Sequence, residues 1–172
     1  MDWRLRRAEP GDAAFLSLVA GATFLEAYSS FIDRDDMMAH LAGKASPERF
    51  AGWIADDASI VTLAESPAGG APLGYTVLTD PDLPVERQDG DVELLRIYTL
   101  ATSWGAGLGN ALIDRAIADA GERDARRMLL GVHPGNVRAR RFYEKKGFSV
   151  IGQRRFQVGQ SVFEDPVYGR AL

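Results

Sequence analysis

One stretch, Glu93 to Ala120, constrains the fold of this chain most, because its character changes twice. From Leu94 to Leu100 it is rich in aliphatic, aromatic and β-branched residues, which predicts a strand. From Leu108 to Ala120 apolar residues recur every three or four positions, which predicts a helix. Between the two lies the run W-G-A-G-L-G-N, whose three glycines predict a tight loop.

A glycine loop that leads from a strand into a helix is suited to holding an anion. The first amides of a helix have no partner inside the helix, and the helix dipole favours negative charge there. Glycine also lets a phosphate approach the backbone, because no Cβ stands in the way. The sequence therefore predicts a ligand with a diphosphate at this loop. Glycine-capped helices that bind nothing show the same pattern, so the loop alone leaves both interpretations open.

Two other phosphate-binding motifs do not fit this loop. No Lys-Ser or Lys-Thr follows the glycines, which excludes the P-loop. The dinucleotide-binding fingerprint needs an acidic residue at the end of the next strand, about 20 residues further on. There the chain reads Val132-His133-Pro134 instead.

Composition restricts the class of protein and of partner. The length of 172 residues suits a single domain over residues 1–172. No cysteine is present and only two histidines are, so no disulfide, thiol nucleophile or metal site is expected. The net charge of -4 argues against nucleic acid as a partner and suits a cationic substrate. Without a long apolar run or a signal peptide, no membrane span is expected, and a cytoplasmic protein is favoured.

Hydrophobic periodicity and turn residues predict helices and strands along the whole chain. The predicted helices run from Asp12, as a cap, to about Ala27, and over Asp33 to Gly43, Pro47 to Ala55, Leu108 to Ala120 and Val137 to Lys146. The predicted strands are Trp3 to Ala8, Ile60 to Glu65, Leu73 to Thr79, Leu94 to Leu100, Met128 to Val132, Phe148 to Val158 and Val162 to Tyr168. The last two strands would be joined at Gly159-Gln160. This order predicts an α/β (α+β) fold.

A second motif lies on the helix predicted after Met128 to Val132. Asn136 precedes this helix as a cap, and Ala139, Phe142 and Tyr143 share one of its faces by their spacing. A core helix with a half-buried tyrosine has the same pattern, so this motif alone also leaves two interpretations open.

Together, the two motifs resemble those of the GNAT-type N-acetyltransferases. The strand, the glycine loop, the helix, the next strand and N-x-x-A-x-x-F-Y-x-x-x-G-F follow each other in the order and spacing of that superfamily. Within it, the chain is most similar to the PaiA-like bacterial polyamine N-acetyltransferases. Three runs carry that similarity: A-T-F-L-E-A-Y from Ala22, L-L-G-V-H-P-G-N-V-R-A-R-R-F-Y from Leu129, and F-Q-V-G-Q with D-P-V-Y between Phe156 and Tyr168.

The resemblance implies a splayed mixed β-sheet of about six to seven strands flanked by helices. Acetyl-CoA, the co-substrate, would lie between the central strand and the strand after it, with its diphosphate on the loop amides. The implied acetyl-CoA-binding residues are Ile97, Tyr98, Thr99, Gly105, Ala106, Gly107, Leu108, Gly109, Asn110, Asn136 and Tyr143. One position departs from the superfamily, which usually has Gln or Arg where this chain has Trp104. A polar contact near the phosphates is therefore missing.

The resemblance also implies the reaction of an acyltransferase. A primary amine attacks the acetyl thioester directly and forms a tetrahedral intermediate, which expels the CoA thiolate. Tyr143 is the candidate acid for the thiolate, and the backbone amide of Tyr98 or Thr99 is the candidate oxyanion donor. Glu93, acting through a water, is the first candidate base and His133 the second. A solvated strand end and a turn histidine are the structural alternatives, and the proton could also leave through water.

The sequence defines the acceptor least. Phe24, Glu26 and Tyr28 are the predicted substrate-binding residues, and the acidic loop from Asp80 to Asp91 could attract a polycation. A solvated charged surface would give the same acidic pattern. The candidate acceptors are a small amine such as a polyamine and a peptide or protein amine. A non-catalytic CoA-binding module and a structural domain with an empty loop are the alternatives, and a homodimer is left open.

Overall fold

A mixed β-sheet with helices on both faces forms the body of the protein. The computed structural model describes residues 2–30, 32–158 and 161–172, and within these ranges it contains seven strands and five α-helices. The strands are β1 (Arg4–Arg7), β2 (Ile60–Glu65), β3 (Pro72–Thr79), β4 (Asp91–Thr99), β5 (Arg127–Gly131), β6 (Ser149–Val158) and β7 (Ser161–Ala171). The helices are α1 (Ala13–Tyr28), α2 (Arg34–Lys44), α3 (Pro47–Ala55), α4 (Leu108–Gly121) and α5 (Val137–Lys145). The predicted α/β class and the range of six to seven strands are thereby confirmed.

The strand order in the sheet is β1-β2-β3-β4-β5-β7-β6. Neighbouring strands are antiparallel except β4 and β5, which are parallel and connected through α4. The junction of β4 and β5 is therefore the point where the chain crosses over the sheet, and the glycine loop lies on that crossover.

The parallel strands β4 and β5 pair over three residues and then separate. Pairing runs from Asp91 opposite Arg127 to Glu93 opposite Leu129 and then stops. Beyond that point β4 stays paired with β3 as far as Thr99, and β5 stays paired with β7. A gap therefore opens between the two strands, and one edge of β4 faces it without a partner strand.

The front face of the sheet, covered by α1, α2 and α3, and the back face, covered by α4 and α5, each have an apolar core. Leu16, Phe50, Leu63, Tyr75 and Val77 are among the buried residues of the front core. Ile113, Leu94, Met128, Leu130 and Tyr168 are among those of the back core. Because both faces are covered, β2 is buried at every position and reads as an almost continuous apolar run.

A β-bulge in β4 decides which side chains share the front face. Val77 pairs with Arg96 and Leu78 with Leu94, so Leu95 is an extra residue in β4. Strict alternation would place Glu93 and Tyr98 on opposite faces, because their positions differ by an odd number. The extra residue reverses that relation beyond the bulge, and both side chains lie on the front.

Local capping residues explain several helix boundaries. Ser46 Oγ accepts a hydrogen bond from the Arg49 amide at 3.3 Å, with Pro47 in the first turn of α3. Asn136 Oδ1 accepts from the Ala139 amide at 3.0 Å at the start of α5. Gly147 follows α5 with φ of 83°, a left-handed conformation that favours glycine. These predicted caps are confirmed.

Asp12 occupies the predicted cap position of α1, but among the described residues its side chain makes no capping hydrogen bond to this helix. Residues 10–12 form a 3₁₀ turn, and the Asp12 carboxylate accepts from the Glu9 amide at 2.8 Å instead. Both carboxylate oxygens also bind the Arg6 guanidinium, at 2.6 and 2.7 Å. Asp12 therefore joins β1 to the start of α1.

The remaining differences concern strand ends. β1 is shorter than predicted, β4 begins earlier, and β7 continues to Ala171 because it pairs with β5 and β6 together. The predicted turn at Gly159-Gln160 lies outside the described residues. Among the described helices, none combines the length and apolar character that crossing a membrane requires.

Substitution of Gly74 on β3 tests how closely the backbones of β3 and β4 approach each other. A Cβ at Gly74 would lie 2.6 Å from the Tyr98 carbonyl oxygen, a backbone atom that cannot rotate away. We expect Gly74→Ala to lower the free energy of unfolding by about 1–3 kcal/mol in urea titrations. Gly21→Ala, inside α1 with open space around its Cβ, is the control and should raise stability by about 0.5–1 kcal/mol. Equal stability of the Gly74 variant and the wild type would contradict the close approach.

Candidate active site

The unpaired edge of β4 presents alternate backbone groups to the gap. The Leu100 amide donates to the Leu73 carbonyl at 2.9 Å, and the Tyr98 carbonyl lies against Gly74, so both point toward β3. Because alternate residues of a strand point to opposite edges, the N–H and C=O of Ile97 and Thr99 face the gap. The backbone of Tyr98 does not face the gap, and only its side chain is placed to contribute. Thr99 is thus better placed than Tyr98 as an oxyanion donor.

The glycine loop leaves a concave backbone surface at the start of α4. Gly105 and Gly107 have φ of 80° and 86°, values that favour glycine. A Cβ at either position, or at Gly109, would meet nothing within 4 Å, so the surface beside the loop is open. The Ala106 amide is used inside the loop, where it donates to the Ser103 carbonyl at 3.2 Å.

The amides that remain for an anion are those of Gly105, Gly107 and the first turn of α4, Leu108 to Asn110. No side chain of the described residues caps this helix, and the first amides of a helix lack intrahelical acceptors. Open space, unpaired amides and the positive end of the helix dipole fit a diphosphate.

A cation stands beside the loop, where the sequence suggested that a polar contact is missing. The Arg138 guanidinium carbon lies 3.3 Å from the ring centroid of Trp104, and half of Trp104 is exposed. Burial lowers the pKa of Arg138, while the nearby Glu26 raises it. Glu26, predicted to bind substrate, accepts from the Ala101 amide at 2.9 Å near the loop.

Tyr143 comes from α5 on the back face. It is 8% exposed, and its ring packs edge-on against Phe142 and Phe148. Burial, and then the neighbouring Tyr98, raise the pKa of Tyr143 above its usual value, so the phenol is protonated at neutral pH. This packing confirms the core-helix interpretation of the motif, and the effect of Tyr98 indicates that the phenol lies near that residue.

Two more phenols meet on the front side of the gap. The hydroxyls of Tyr28, at the end of α1, and Tyr98 are 3.4 Å apart. The pKa of Tyr28 is raised, first by Tyr98 and then by burial. Tyr28, predicted to bind substrate, thus lies at the gap, and Tyr143 reaches it from the other face.

Glu93 lies at the closed end of the gap. It is 2% exposed, so the alternative of a solvated strand end is wrong. One carboxylate oxygen accepts from the Asp82 amide at 2.8 Å, which fixes the 80–91 loop over it. Burial raises the pKa of Glu93, and this exceeds the opposing effects of the Asp82 amide and of Arg154.

His133 follows β5 at the open end of the gap. Its Nδ1 accepts from the Gly135 amide at 3.1 Å, as the turn interpretation predicts. Its ring stands edge-on to Phe163 at 4.6 Å. Burial lowers the pKa of His133 more than Asp165 raises it, so the ring is neutral at pH 7.

Two groups from the predicted acceptor region are engaged in packing or ion pairing. Phe24 is buried, and its ring stacks on His40 at 4.2 Å in a small cluster under α2. The side chain of Asp91 is fully buried and forms two hydrogen bonds of 2.7 Å with Arg127. These two residues are therefore not available to a substrate, and the predicted role of Phe24 in binding substrate is not supported.

Arg154 and Asp165 lie beside the gap, although sequence reasoning did not single them out. They face each other on β6 and β7, with Arg154 Nη2 3.2 Å from Asp165 Oδ2. The guanidinium lies against Gly131, where a Cβ would come within 2.5 Å of Arg154 Cζ. A side chain at position 131 would therefore collide with this guanidinium, and glycine leaves room for it. The only sequence signal was a charged residue at alternate positions of two strands.

No group of three or more His, Asp or Glu suited to a metal ion occurs in the described ranges. The residues that the structure brings together at the gap are Ile97, Thr99, the glycine loop, Tyr28, Tyr98, Tyr143, Glu93, His133, Arg154 and Asp165.

Asp91 and Glu93, the carboxyls at the two ends of the β4–β5 pairing, should make the free energy of unfolding depend on pH in opposite directions. The raised pKa of Glu93 means that folding costs more free energy as pH rises above the carboxyl's ordinary value. We expect Glu93→Gln to be more stable than the wild type at pH 8 in urea titrations, with the difference vanishing below about pH 4.

Asp91→Asn is the matched control for this titration. Hydrogen bonds to Arg127 lower the pKa of Asp91, so its contribution to stability is present at neutral pH and is lost on acidification. Asp91→Asn should lower the free energy of unfolding at pH 7 by about 3 kcal/mol, because it leaves Arg127 without its partner. The raised pKa of Glu93 would be refuted if the stability of Glu93→Gln, measured relative to wild type, were lower at pH 8 than at pH 4.

Known proteins share the sequence pattern and the fold of this chain. The Acetyltransferase (GNAT) family pattern matches residues 26–148. An uncharacterized N-acetyltransferase of Mycobacterium bovis is 34% identical over 161 residues, which cover 94% of this chain and 98% of that protein. One of Lactobacillus delbrueckii subsp. lactis is 25% identical over 155 residues, covering 90% of this chain and 88% of that protein.

Solved structures show the same fold. The PaiA N-acetyltransferase from Thermoplasma acidophilum, solved in complex with coenzyme A, superposes with a TM-score of 0.82 over 100% of both chains at 19% identity. A putative phosphinothricin N-acetyltransferase superposes with a TM-score of 0.74 over 99% of both chains at 18% identity. The family pattern and the Mycobacterium relative establish that this chain belongs to the GNAT family and is an acetyl-CoA-dependent N-acetyltransferase.

Proposed function

We propose that residues 1–172 act as a single domain that moves the acetyl group of acetyl-CoA to a primary amine of a small cationic molecule, with polyamines as the acceptor class. The observation that carries this proposal is the gap beyond Glu93, because it joins an unpaired strand edge to an open glycine loop. The structural likeness to a PaiA protein and the resemblance of three sequence runs to PaiA-like enzymes support the polyamine class.

The gap offers acetyl-CoA a separate contact for each of its parts. The diphosphate would lie on the free amides of the glycine loop, near the guanidinium of Arg138. The pantetheine arm would pair with the backbone of Ile97 and Thr99 as an added strand. Asn136 uses its Oδ1 to cap α5, so only its side-chain amide nitrogen is left to bind a pantetheine carbonyl.

The residues around the gap divide the proton transfers of the reaction between them. The acceptor ammonium first loses a proton. Glu93 is the candidate base, because its pKa is raised toward neutral pH. The amine nitrogen then forms a bond to the acetyl carbon while the Thr99 amide stabilises the oxyanion. When the carbon–sulfur bond breaks, the Tyr143 phenol donates its proton to the departing sulfur. Its raised pKa keeps that proton in place until then.

An amine panel tests this proposal directly. Purified protein should release CoA from acetyl-CoA with primary amines such as spermidine and should not do so without an acceptor. Activity confined to peptide N-termini would favour a peptide or protein acceptor. Binding of CoA without turnover on any amine would favour a non-catalytic module.

Tyr143→Phe tests the acid within the same assay. Loss of the phenol should lower kcat by about 100-fold, the scale of general acid catalysis, with little change in CoA affinity measured by calorimetry. Tyr168→Phe is the control, because its hydroxyl bonds Arg140 and Glu144 on α5 and its loss should affect stability alone. Unchanged kcat in Tyr143→Phe would remove this residue from the reaction.

Arg138→Gln tests the cation beside the glycine loop. If the guanidinium that stacks on Trp104 binds a CoA phosphate, its removal should weaken CoA about tenfold, a typical loss for a charged hydrogen bond. Comparing CoA with dephospho-CoA by calorimetry identifies which phosphate it binds. Arg141→Gln, also on α5, is the control. Equal affinity of wild type and Arg138→Gln for both ligands would rule this contact out.

A further inference from the structure

One buried carboxylate near the gap has a hydrogen-bonding atom to spare. The side chain of Asp165 is 2% exposed, and among the residues that the structure describes, its Oδ1 has no hydrogen-bond partner. Its Oδ2 accepts from Arg154 at 3.2 and 3.3 Å, longer than is usual for a charge-assisted hydrogen bond. Buried polar atoms are rarely left unpaired, so this carboxylate invites a functional explanation.

Asp165 lies on the front face, along the open side of the gap. Gly131 on β5 pairs with Val167 on β7, and Asp165 is two residues before Val167, so its side chain points to the same face. Asp165 also acts electrostatically on His133 and on Tyr28, which places its charge among the groups that line the gap.

Glu93 lies on the same face at the closed end. It pairs with Leu129, which in turn pairs with Gly169. Asp165 is therefore four residues further along β7, which is about 13 Å at the rise of a strand. The two carboxylates thus mark two points along the gap rather than one shared acid pair.

Arg154 stands between the two carboxylates. It binds Asp165 and also acts on the charge of Glu93, while its guanidinium rests on the backbone of Gly131. Burial raises the pKa of both carboxyls above the ordinary value, and Arg154 opposes that rise at each. One cation is thus shared by two acids, and the site keeps an excess of negative charge when all three are ionised.

We propose that Asp165 binds a second ammonium group of the acceptor, and that the Arg154 guanidinium occupies that position until the acceptor displaces it. This inference rests on the proposed function and adds a specificity residue to it. An ammonium can donate to both Asp165 oxygens, including the Oδ1 that Arg154 leaves unpaired. A monoamine has no group for this position, so the site discriminates by the number of charges on the acceptor.

The test compares α,ω-diaminoalkanes with n-alkylamines of the same carbon number. In the wild type, kcat/KM should be at least about tenfold higher for the best diamine than for its matching monoamine. In Asp165→Asn that ratio should fall to near unity, while kcat/KM for the monoamine stays within about threefold of wild type. Glu164→Gln is the control, because this neighbouring carboxylate is exposed and should leave the ratio unchanged.

Arg154→Met separates ligand binding from an ordinary structural ion pair. If Arg154 competes with the acceptor for Asp165, its removal should raise the diamine preference above that of the wild type. A purely structural pair predicts no such rise. Should Arg154→Met fail to fold, the double variant Asp165→Asn/Arg154→Met leaves no unpaired charge and should show no diamine preference.

Two results would overturn the inference. One is a wild-type ratio near unity, and the other is a parallel loss of monoamine and diamine turnover in Asp165→Asn, which would place Asp165 at the reacting nitrogen. Calorimetric titration of 1,4-diaminobutane into the CoA complex separates this inference from the proposed function. Diamine binding that Asp165→Asn abolishes would support the site even if turnover failed. Absence of binding with CoA affinity intact would refute the site alone.

Discussion

The separation of β4 from β5 after three residue pairs is the constraint on which the site depends. Had the pairing continued, every backbone group of β4 would be satisfied by a neighbouring strand and no ligand could enter. Instead, Ile97 and Thr99 keep free hydrogen-bonding groups at the edge of the gap. Asp91 and Arg127 hold the closed end together through a buried ion pair, so the separation starts from a fixed point.

Ionisable groups gather around this gap because burial changes their protonation. Burial raises the pKa of Glu93, Asp165 and Tyr143 and lowers that of His133. Each shift favours the neutral form, which suits a cleft where protons are exchanged with a bound substrate. Asp91 differs, because two hydrogen bonds from Arg127 compensate its burial and keep it ionised. Carboxyls of the same sheet thus take different roles.

Local sequence patterns predicted most of the elements and part of the site. The caps Ser46 and Asn136 act over three residues, so they could be identified without knowledge of the tertiary structure. The glycine loop was equally local, because positive φ values and unpaired first-turn amides depend on neighbouring residues alone. The hydrogen bonds of Asp12 could not be predicted in this way, because its partners include Arg6 on the adjacent strand.

What the sequence by itself determined was the order of elements, the glycine loop and the resemblance that led to the family, because these depend on spacing along the chain. The tertiary structure alone decided which side chains meet. The bulge at Leu95 brought Glu93 and Tyr98 to one face, against simple alternation. Pairing of β6 with β7 brought Arg154 to Asp165, and its guanidinium to Gly131. Contacts between distant strands depend on register, which no local pattern encodes.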